Sequence, residues 1–398
     1  MARLFSIILE FLVLGCSSFG GPVAHLGFFY ERFVQRQCWL SDAAYAELTA
    51  LCQTLPGPSS SQVCIGLGLI RAGWAGAVAA WLGFTLPSAL LMLIASASLS
   101  AHPEWLQGGW VHGLKVAAVA VVAQAVLGMQ RRLAPDRQRA TLMVAAAVLV
   151  LLVPRAWAQL LALLVGAIAG LTLLGSDQPP PTREESLLPQ ARRWPALVCL
   201  GLFALLLLSL PWLTSPAQPT ALRQLAGFLQ AGSLVFGGGH VVLPLLEQVL
   251  VAPGWISSEQ FMAGYGLAQA VPGPMFSFAA FLGFDLDAGL HGVRGGLAAL
   301  IALFAPAFLL IGGLLPFWSD LSKLAMLRRA LVGVNAAVVG VLLAALYQPV
   351  WQLGIRDPAD FSLGISALLL MVLWKQPAWR IVALCSAVGG LWLAPVAL

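Results

Sequence analysis

Gln53-Thr54-Leu55-Pro56-Gly57-Pro58 and Gln269-Ala270-Val271-Pro272-Gly273-Pro274 are one unusual phrase written twice in the same chain. A second match precedes each, Phe19-Gly20-Gly21 in the first half and Phe236-Gly237-Gly238 in the second. The spacing between partners barely changes. Phe11 and Phe228, like Phe19 and Phe236, are 217 residues apart; Trp39 and Trp255, like Gln53 and Gln269, are 216 apart. Further along, Gly73/Gly292 and Pro87/Pro306 differ by 219, and Gly113/Gly333 by 220. So small a drift is what two copies with minor loop changes leave behind. Internal duplication in an apolar chain is a mark of secondary transporters.

The composition is that of a membrane protein. Hydrophobic residues make up 60% of the 398 positions and charged residues 9%, against about 25% charged in soluble domains. A helical crossing takes about 20 apolar residues, and candidate spans lie at 74–99, 109–130, 140–153, 157–174, 195–213, 295–318, 330–348, 362–374 and 378–396. The first apolar run leads straight into the repeated motif, so no cleavable signal peptide is expected. The net charge of +5 does not point to nucleic acid, because basic residues sit mostly in short loops beside apolar runs and set orientation there. Cys16, Cys38, Cys52, Cys64, Cys199 and Cys385 are scattered without a C-x-x-C pair or a His cluster. Disulfide framework, metal centre and redox motif therefore lack support. No P-loop or nucleotide fingerprint is present, so neither an ATP-driven pump nor a membrane-embedded reductase is expected, and no cofactor is implied.

The arginines suggest how the chain is threaded. Arg131, Arg132, Arg137 and Arg139 crowd one loop, which the positive-inside bias assigns to the cytoplasm. Spans 140–153 and 157–174 then exit and return, and the polar linker beginning at Ser176 is cytoplasmic. The span 195–213 has no partner in the other copy and would turn the second copy upside down. That inversion puts Arg328, Arg329, Lys323, Lys375 and Arg380 inside. The predicted architecture is an all-α polytopic membrane protein of two inverted-topology repeats. Its parts are a first repeat at 1–175, a linker with connecting helix at 176–219, and a second repeat at 220–398. The motif-bearing segments 4–34, 43–71, 220–251 and 259–289 are either broken spans, giving thirteen crossings, or re-entrant hairpins beside nine spans. Arms of 13 residues such as 43–55 and 59–71 reach about 20 Å, short of a core about 30 Å thick. Hairpins also keep Arg3, Arg32, Arg36 and Arg71 on one side, and the reading favours them.

Pro-Gly-Pro cannot continue an α-helix, because proline lacks a donor and glycine admits conformations that other residues avoid. In lipid such a break is tolerated only where protein buries it or water reaches it. Pro22, Pro58 and Pro274 suit the first turn of a new helix, after the breaks that Pro56 and Pro272 open. The unpaired N–H groups of such a turn bind anions without a basic side chain. Gly20, Gly21, Gly57, Gly237, Gly238, Gly239 and Gly273 would supply these backbones. The hydroxyls of Ser59, Ser60, Ser61 and Ser277, the amides of Gln53 and Gln269, and His240 would complete the site. Lys115, within a span, is a candidate counter-charge for a divalent oxyanion, or else snorkels to water. Glu31, Glu247 and His240 are candidates for proton coupling. His25 reads as a packed histidine, and Arg71 and Arg294 as topology charges.

These residues carry a resemblance. Phe19-Gly20-Gly21-Pro22, His25, Trp39-Leu40, Leu51 through Pro58, Ala72-Gly73-Trp74-Ala75-Gly76-Ala77, Gly83-Phe84 and Pro87 resemble the chromate ion transporter (CHR) family in its long, duplicated form. Phe236 through His240, Trp255-Ile256 and Pro272-Gly273-Pro274 repeat the pattern. The resemblance implies export of chromate across the inner membrane, conferring chromate resistance, driven by the membrane potential or a coupling ion such as H+. Uptake or exchange of sulfate, which shares chromate's shape and charge, is the alternative. One departure stands out. The polar pair expected after the first Pro-Gly-Pro is Ser59-Ser60-Ser61 here, and Met275-Phe276-Ser277 in the second copy, so the two sites need not be equivalent. The expected partners are the oxyanion, a coupling ion and the lipid bilayer; a homodimer is open and nucleic acid is excluded.

Overall fold

The computed structural model describes residues 2–153, 156–174, 193–236, 239–286, 289–321 and 324–392, and all regular structure among them is helical. The linker at 176–192 lies outside these residues, as do Gly237, Gly238 and Lys323.

The chain opens with two helical hairpins. α1 (Ala2–Ser17) turns at Ser18–Gly20 into α2 (Gly21–Phe29), which a π turn extends through Arg36. Phe11 stacks on Phe33 with ring centroids 4.6 Å apart, and Arg32 Nε donates to Glu10 Oε2 at 2.5 Å. In one straight helix residues 10 and 32 would be about 33 Å apart, so the arms lie side by side. α3 (Asp42–Thr54) turns at Pro56-Gly57-Pro58 into α4 (Ser59–Ala101). Leu48 packs on Gly66, where a Cβ would sit 2.7 Å from Leu48 Cδ1. The Arg71 guanidinium stacks over the Trp39 ring at 5.1 Å, bringing the outer ends of the two hairpins to one level.

α4 is two arms, because Ala72 and Gly73 leave helical geometry and Gly73 takes φ 64°. The chain reverses there, and Gly68 and Gly76 lie against each other's carbonyls. The second arm, 74–101, is about 42 Å long. α5 (Gly109–Leu133), α6 (Arg137–Leu152) and α7 (Ala156–Thr172) complete the first half. α8 (Arg193–Leu213) has no equivalent there; its Leu205, Leu208 and Trp212 are exposed. So much apolar surface would cost kilocalories in water and costs nothing in lipid.

The second half follows the same order. α9 (Thr220–Leu234) leads to α10 (Val242–Leu246), then α11 (Ser258–Ala270), α12 (Phe278–Phe284) and α13 (Gly292–Leu314). α14 (Trp318–Leu321), α15 (Ala325–Ala345), α16 (Gln352–Gly354), α17 (Pro358–Val372) and α18 (Ala378–Trp392) follow. Even the caps recur. Ser41 Oγ accepts from Ala44 N–H at 3.2 Å and Ser257 Oγ from Gln260 N–H at 3.1 Å. Asp136 caps α6 and Asp357 caps α17 in the same way, both at 2.9 Å. Each cap satisfies one of a helix's orphan donors. The reversals recur too, with Gly227 against Val249, Gly264 against Phe281 and Gly283 against Gly295.

The halves interlock. α5 packs on α17 and α18, while α15 packs on α6 and α7. Close approach is made by glycine, with Gly113 against the Cys385 carbonyl and Gly333 against the Gly166 carbonyl. At the centre the second arm of α4 runs antiparallel to its equivalent α13. Trp74 meets Gly312, Trp81 meets Phe304 and Phe308 with centroids 5.5 and 5.7 Å away, and Leu93 meets Gly296. Among the described residues five stretches are long and apolar enough to cross a bilayer: Ser59–Ala101, Gly109–Leu133, Arg193–Leu213, Gly292–Phe317 and Ala325–Gly354. Three predicted spans, α7, α17 and α18, are shorter apolar helices, and α6 is a helix of 16 residues. The molecule is an all-helical, multi-pass membrane protein.

Candidate oxyanion site

The hairpin tips meet, and they meet across the halves. Gly57 N–H donates to Val235 O at 2.5 Å, and Gly273 N–H donates to Ser18 O at 2.9 Å. Val235 and Ser18 each stand just before a Phe-Gly-Gly run. Each Pro-Gly-Pro loop is therefore tied to the opposite half's glycine break by the same hydrogen bond. The geometry needs glycine at these turns, for Gly57 has φ 125° and Gly273 φ 95°.

A cavity of about 560 Å³ opens at two of these tips, walled by Gly20 and Gly21 on one side and by Gln269, Gly273 and Met275 on another. That volume holds on the order of 20 waters. His240 lines it, its Nδ1 3.0 Å from the buried Tyr265 Oη. Gln269 donates to Met275 Sδ at 2.9 Å. α5 contributes Gln124, Arg131 and Arg132, and the α17–α18 turn contributes Lys375 and Gln376. Three cations thus face a cavity whose floor is the start of α2, where Gly20 and Gly21 take φ 105° and 77° and Pro22 stands in the first turn. Backbone N–H groups at a helix start and nearby cations are the chemistry that holds an anion.

Several predicted residues lie elsewhere. Gln53 is exposed, and Ser59 is half-buried, while Ser60 and Ser61 are buried. Ser60 Oγ lies 3.4 Å from His25 Nδ1, and His25 Nε2 lies 3.2 Å from Ser18 O, so His25 is a packed histidine that links two tips. Lys115 is buried with its Nζ 4.0 Å from Glu259 Oε1, and it is not among the residues lining the cavity. Glu31 pairs with Arg36 on the surface, and Glu247 is half-buried. Ser277 is buried. Pro58 and Pro274 cap their helices rather than filling the first turn. Of the four glycine-containing breaks, the two in the first half lead into α-helical starts, at Gly21 and Ser59. In the second half 3-10 turns begin at Gly239 and Met275 instead.

Sequence reasoning missed Gln62 and the cavity's cations. Gln62 folds over the first Pro-Gly-Pro loop and donates to Pro56 O at 2.7 Å, whereas Gln53, whose amide the sequence offers to an oxyanion, is exposed. Its place in the first turn after the break was the available signal. Arg131, Arg132 and Lys375 carried only an orientation signal, because no local pattern tells a loop cation from one that overhangs a cavity.

The family model described as chromate transporter matches residues 5–171 and 222–391, one match in each half. A chromate transport protein of Pseudomonas aeruginosa is 28% identical over 96% of this chain and 91% of its own. A protein of Synechococcus elongatus named probable chromate transport protein is 27% identical over 92% and 88%. A chromate transport protein of Cupriavidus metallidurans is 26% identical over 92% and 86%. No solved structure matches the chain. With both halves matched and the hairpin tips built from the same paired motifs, the chain belongs to the chromate transporter family.

Proposed function

We propose that this protein exports chromate from the cytoplasm across the inner membrane, with Arg131, Arg132 and Lys375 gathering the dianion and the Gly20–Gly21 helix start receiving it. The observation that carries this is the cavity itself: three cations above a helix N-terminus, with His240 and Gln269 beside it. Tetrahedral divalent oxyanions fit such a site through charge and N–H donors, so sulfate competes for it. Lys115 is assigned a supporting role one layer away, beside Glu259.

The repeats are inverted in this reading. The antiparallel packing of α4 on its equivalent α13 supports it, because a two-fold axis that reverses equivalent helices lies across them, in the membrane plane. The hairpins are re-entrant: their arms lie side by side and are too short to span, and the Arg71–Trp39 stack supports a common level for their outer ends. An inside-negative potential drives a dianion outward with about 4.6 kcal/mol per 100 mV.

The test is chromate accumulation in cells expressing this chain, with and without excess sulfate and a protonophore. Reduced accumulation that the protonophore restores supports energy-coupled export. Unchanged or raised accumulation sinks the export reading and favours oxyanion uptake or exchange.

A further inference from the structure

Against Gly273 lies a cluster of oxygens from residues that do not line the cavity. A Cβ on Gly273 would sit 3.1 Å from Ser88 Oγ and 3.3 Å from both Gly15 O and Phe84 O, while Gly273 N–H reaches Ser18 O. Gly15 itself packs on Phe84 O and Gly83 O, which a Cβ would approach to 2.6 and 2.9 Å. Two of these carbonyls lose their usual helical donors. Pro87 has no N–H to give Gly83 O. At the end of α1, Phe19 N–H turns to Ser17 O at 3.1 Å rather than to Gly15 O. Ser18, whose own carbonyl accepts from Gly273, and Thr85, next to Phe84 in the chain, carry buried hydroxyls with no hydrogen-bond partner among the described residues. A buried hydroxyl left so costs about 1–3 kcal/mol.

The second half serves as an internal control. Gly232 packs on Leu303 O as Gly15 does on Phe84 O, and Pro306 stands where Pro87 does. Yet Ser18, Thr85 and Ser88 become Val235, Phe304 and Ala307. The Gly15–Phe84 contact is thus rebuilt there without a hydroxyl, while Gly57, the equivalent of Gly273, lies against Gln62 instead of such oxygens, so this helix contact does not require the first half's hydroxyls.

What remains is the donor set. It consists of neutral hydroxyl and carbonyl oxygens at the negative end of the α1 dipole, with no carboxylate to match a divalent ion. His25, which reaches Ser18 O, has both ring nitrogens engaged. Hard monovalent cations are held by such oxygens at broken helices. We propose that Ser18, Thr85 and Ser88, with the carbonyls of Gly15, Gly83 and Phe84, form a binding site for an alkali-metal cation. Gly273 is the wall it shares with the cavity, which offers the ion its way in. A cation there and an oxyanion in the cavity attract, so each raises the other's affinity by the same factor. The two then travel together, and an outward K+ gradient would aid export whereas an inward Na+ gradient would oppose it.

The experiment is thermal unfolding of the purified full-length protein in detergent, in NaCl or KCl, with choline chloride holding ionic strength constant. Oxyanion is left out, so the outcome does not depend on the export reading. A saturable rise in melting temperature is expected with Na+ or K+ and not with choline. Thr85→Val and Ser18→Ala should each raise the half-saturating cation concentration about 10- to 100-fold while melting no lower than the wild type in choline chloride, since each removes an unpartnered buried hydroxyl. Binding of radiolabelled Na+ and Rb+ to the wild-type protein is a second readout that no variant has to survive. Identical melting in all three salts with no saturable binding of either ion overturns the proposal, as does wild-type half-saturation in both variants.

Discussion

Arg131 and Arg132 change meaning between the sequence and the folded chain. In the sequence they are loop charges that orient spans; in the structure they hang over a cavity that ends on Gly20 and Gly21. Both are exposed, so their effect on a dianion is mostly long-range attraction, screened by salt. Arg131→Ala combined with Arg132→Ala should raise the half-saturating chromate concentration about three- to tenfold at low ionic strength. The difference should shrink in high salt, with little change in maximal rate. Transport into proteoliposomes at two salt concentrations measures this. A loss of maximal rate at unchanged half-saturation would place these arginines outside the capture step. Gln62 shows the limit of local reading in another way. Gln53 and Gln62 both flank Pro56-Gly57-Pro58, and only the folded loop decides that Gln62 turns inward to Pro56 O.

The helical elements owe their pairing to small residues. Gly113 and Gly333 are equivalent positions, and each lets its helix touch a helix from the other half. Gly113→Ala would drive a Cβ into the Cys385 carbonyl, and Gly333→Ala into that of Gly166. Each should destabilise the protein by about 1–3 kcal/mol through overpacking, and by similar amounts because the contacts are equivalent. Gly201→Ala on α8, where nothing lies within 4 Å of the added methyl, should be neutral or slightly stabilising, since alanine favours helix. Thermal unfolding of the three variants in detergent measures it. Equal melting for Gly113→Ala and Gly201→Ala would refute an interlock carried by this contact.

At the scale of the molecule the question is which side of the membrane each hairpin enters from. Cys38 is exposed at the outer end of the first hairpin, and Pro253 is exposed at the matching end of the third. In the inverted re-entrant arrangement Cys38 faces the cytoplasm and Pro253 the opposite side. A variant whose only cysteine is Cys38 should react with a membrane-impermeant thiol reagent in inside-out vesicles and not in intact cells. Pro253→Cys in a cysteine-free chain should do the reverse. Labelling of Cys38 in intact cells would mean that the first hairpin enters from the opposite side, and would overturn the assigned orientation.

Duplication, membrane residence and family resemblance were all legible in the one-dimensional pattern. A repeated Pro-Gly-Pro after a repeated Phe-Gly-Gly constrains the backbone locally, and apolar runs are partitioned by their own hydrophobicity. The breaks at Gly20, Gly57 and Gly273 could be named because proline and glycine act on their own residues. Which breaks meet could not be. Gly57 on Val235 and Gly273 on Ser18 join residues from opposite halves, as do α17 and α18 packed on α5, and α6 and α7 packed on α15. The cavity's cations, the burial of Lys115 beside Glu259, and the oxygen cluster against Gly273 have the same origin. Each is a juxtaposition of segments far apart in the chain, set by how two interlocked copies close-pack rather than by any residue's own propensity.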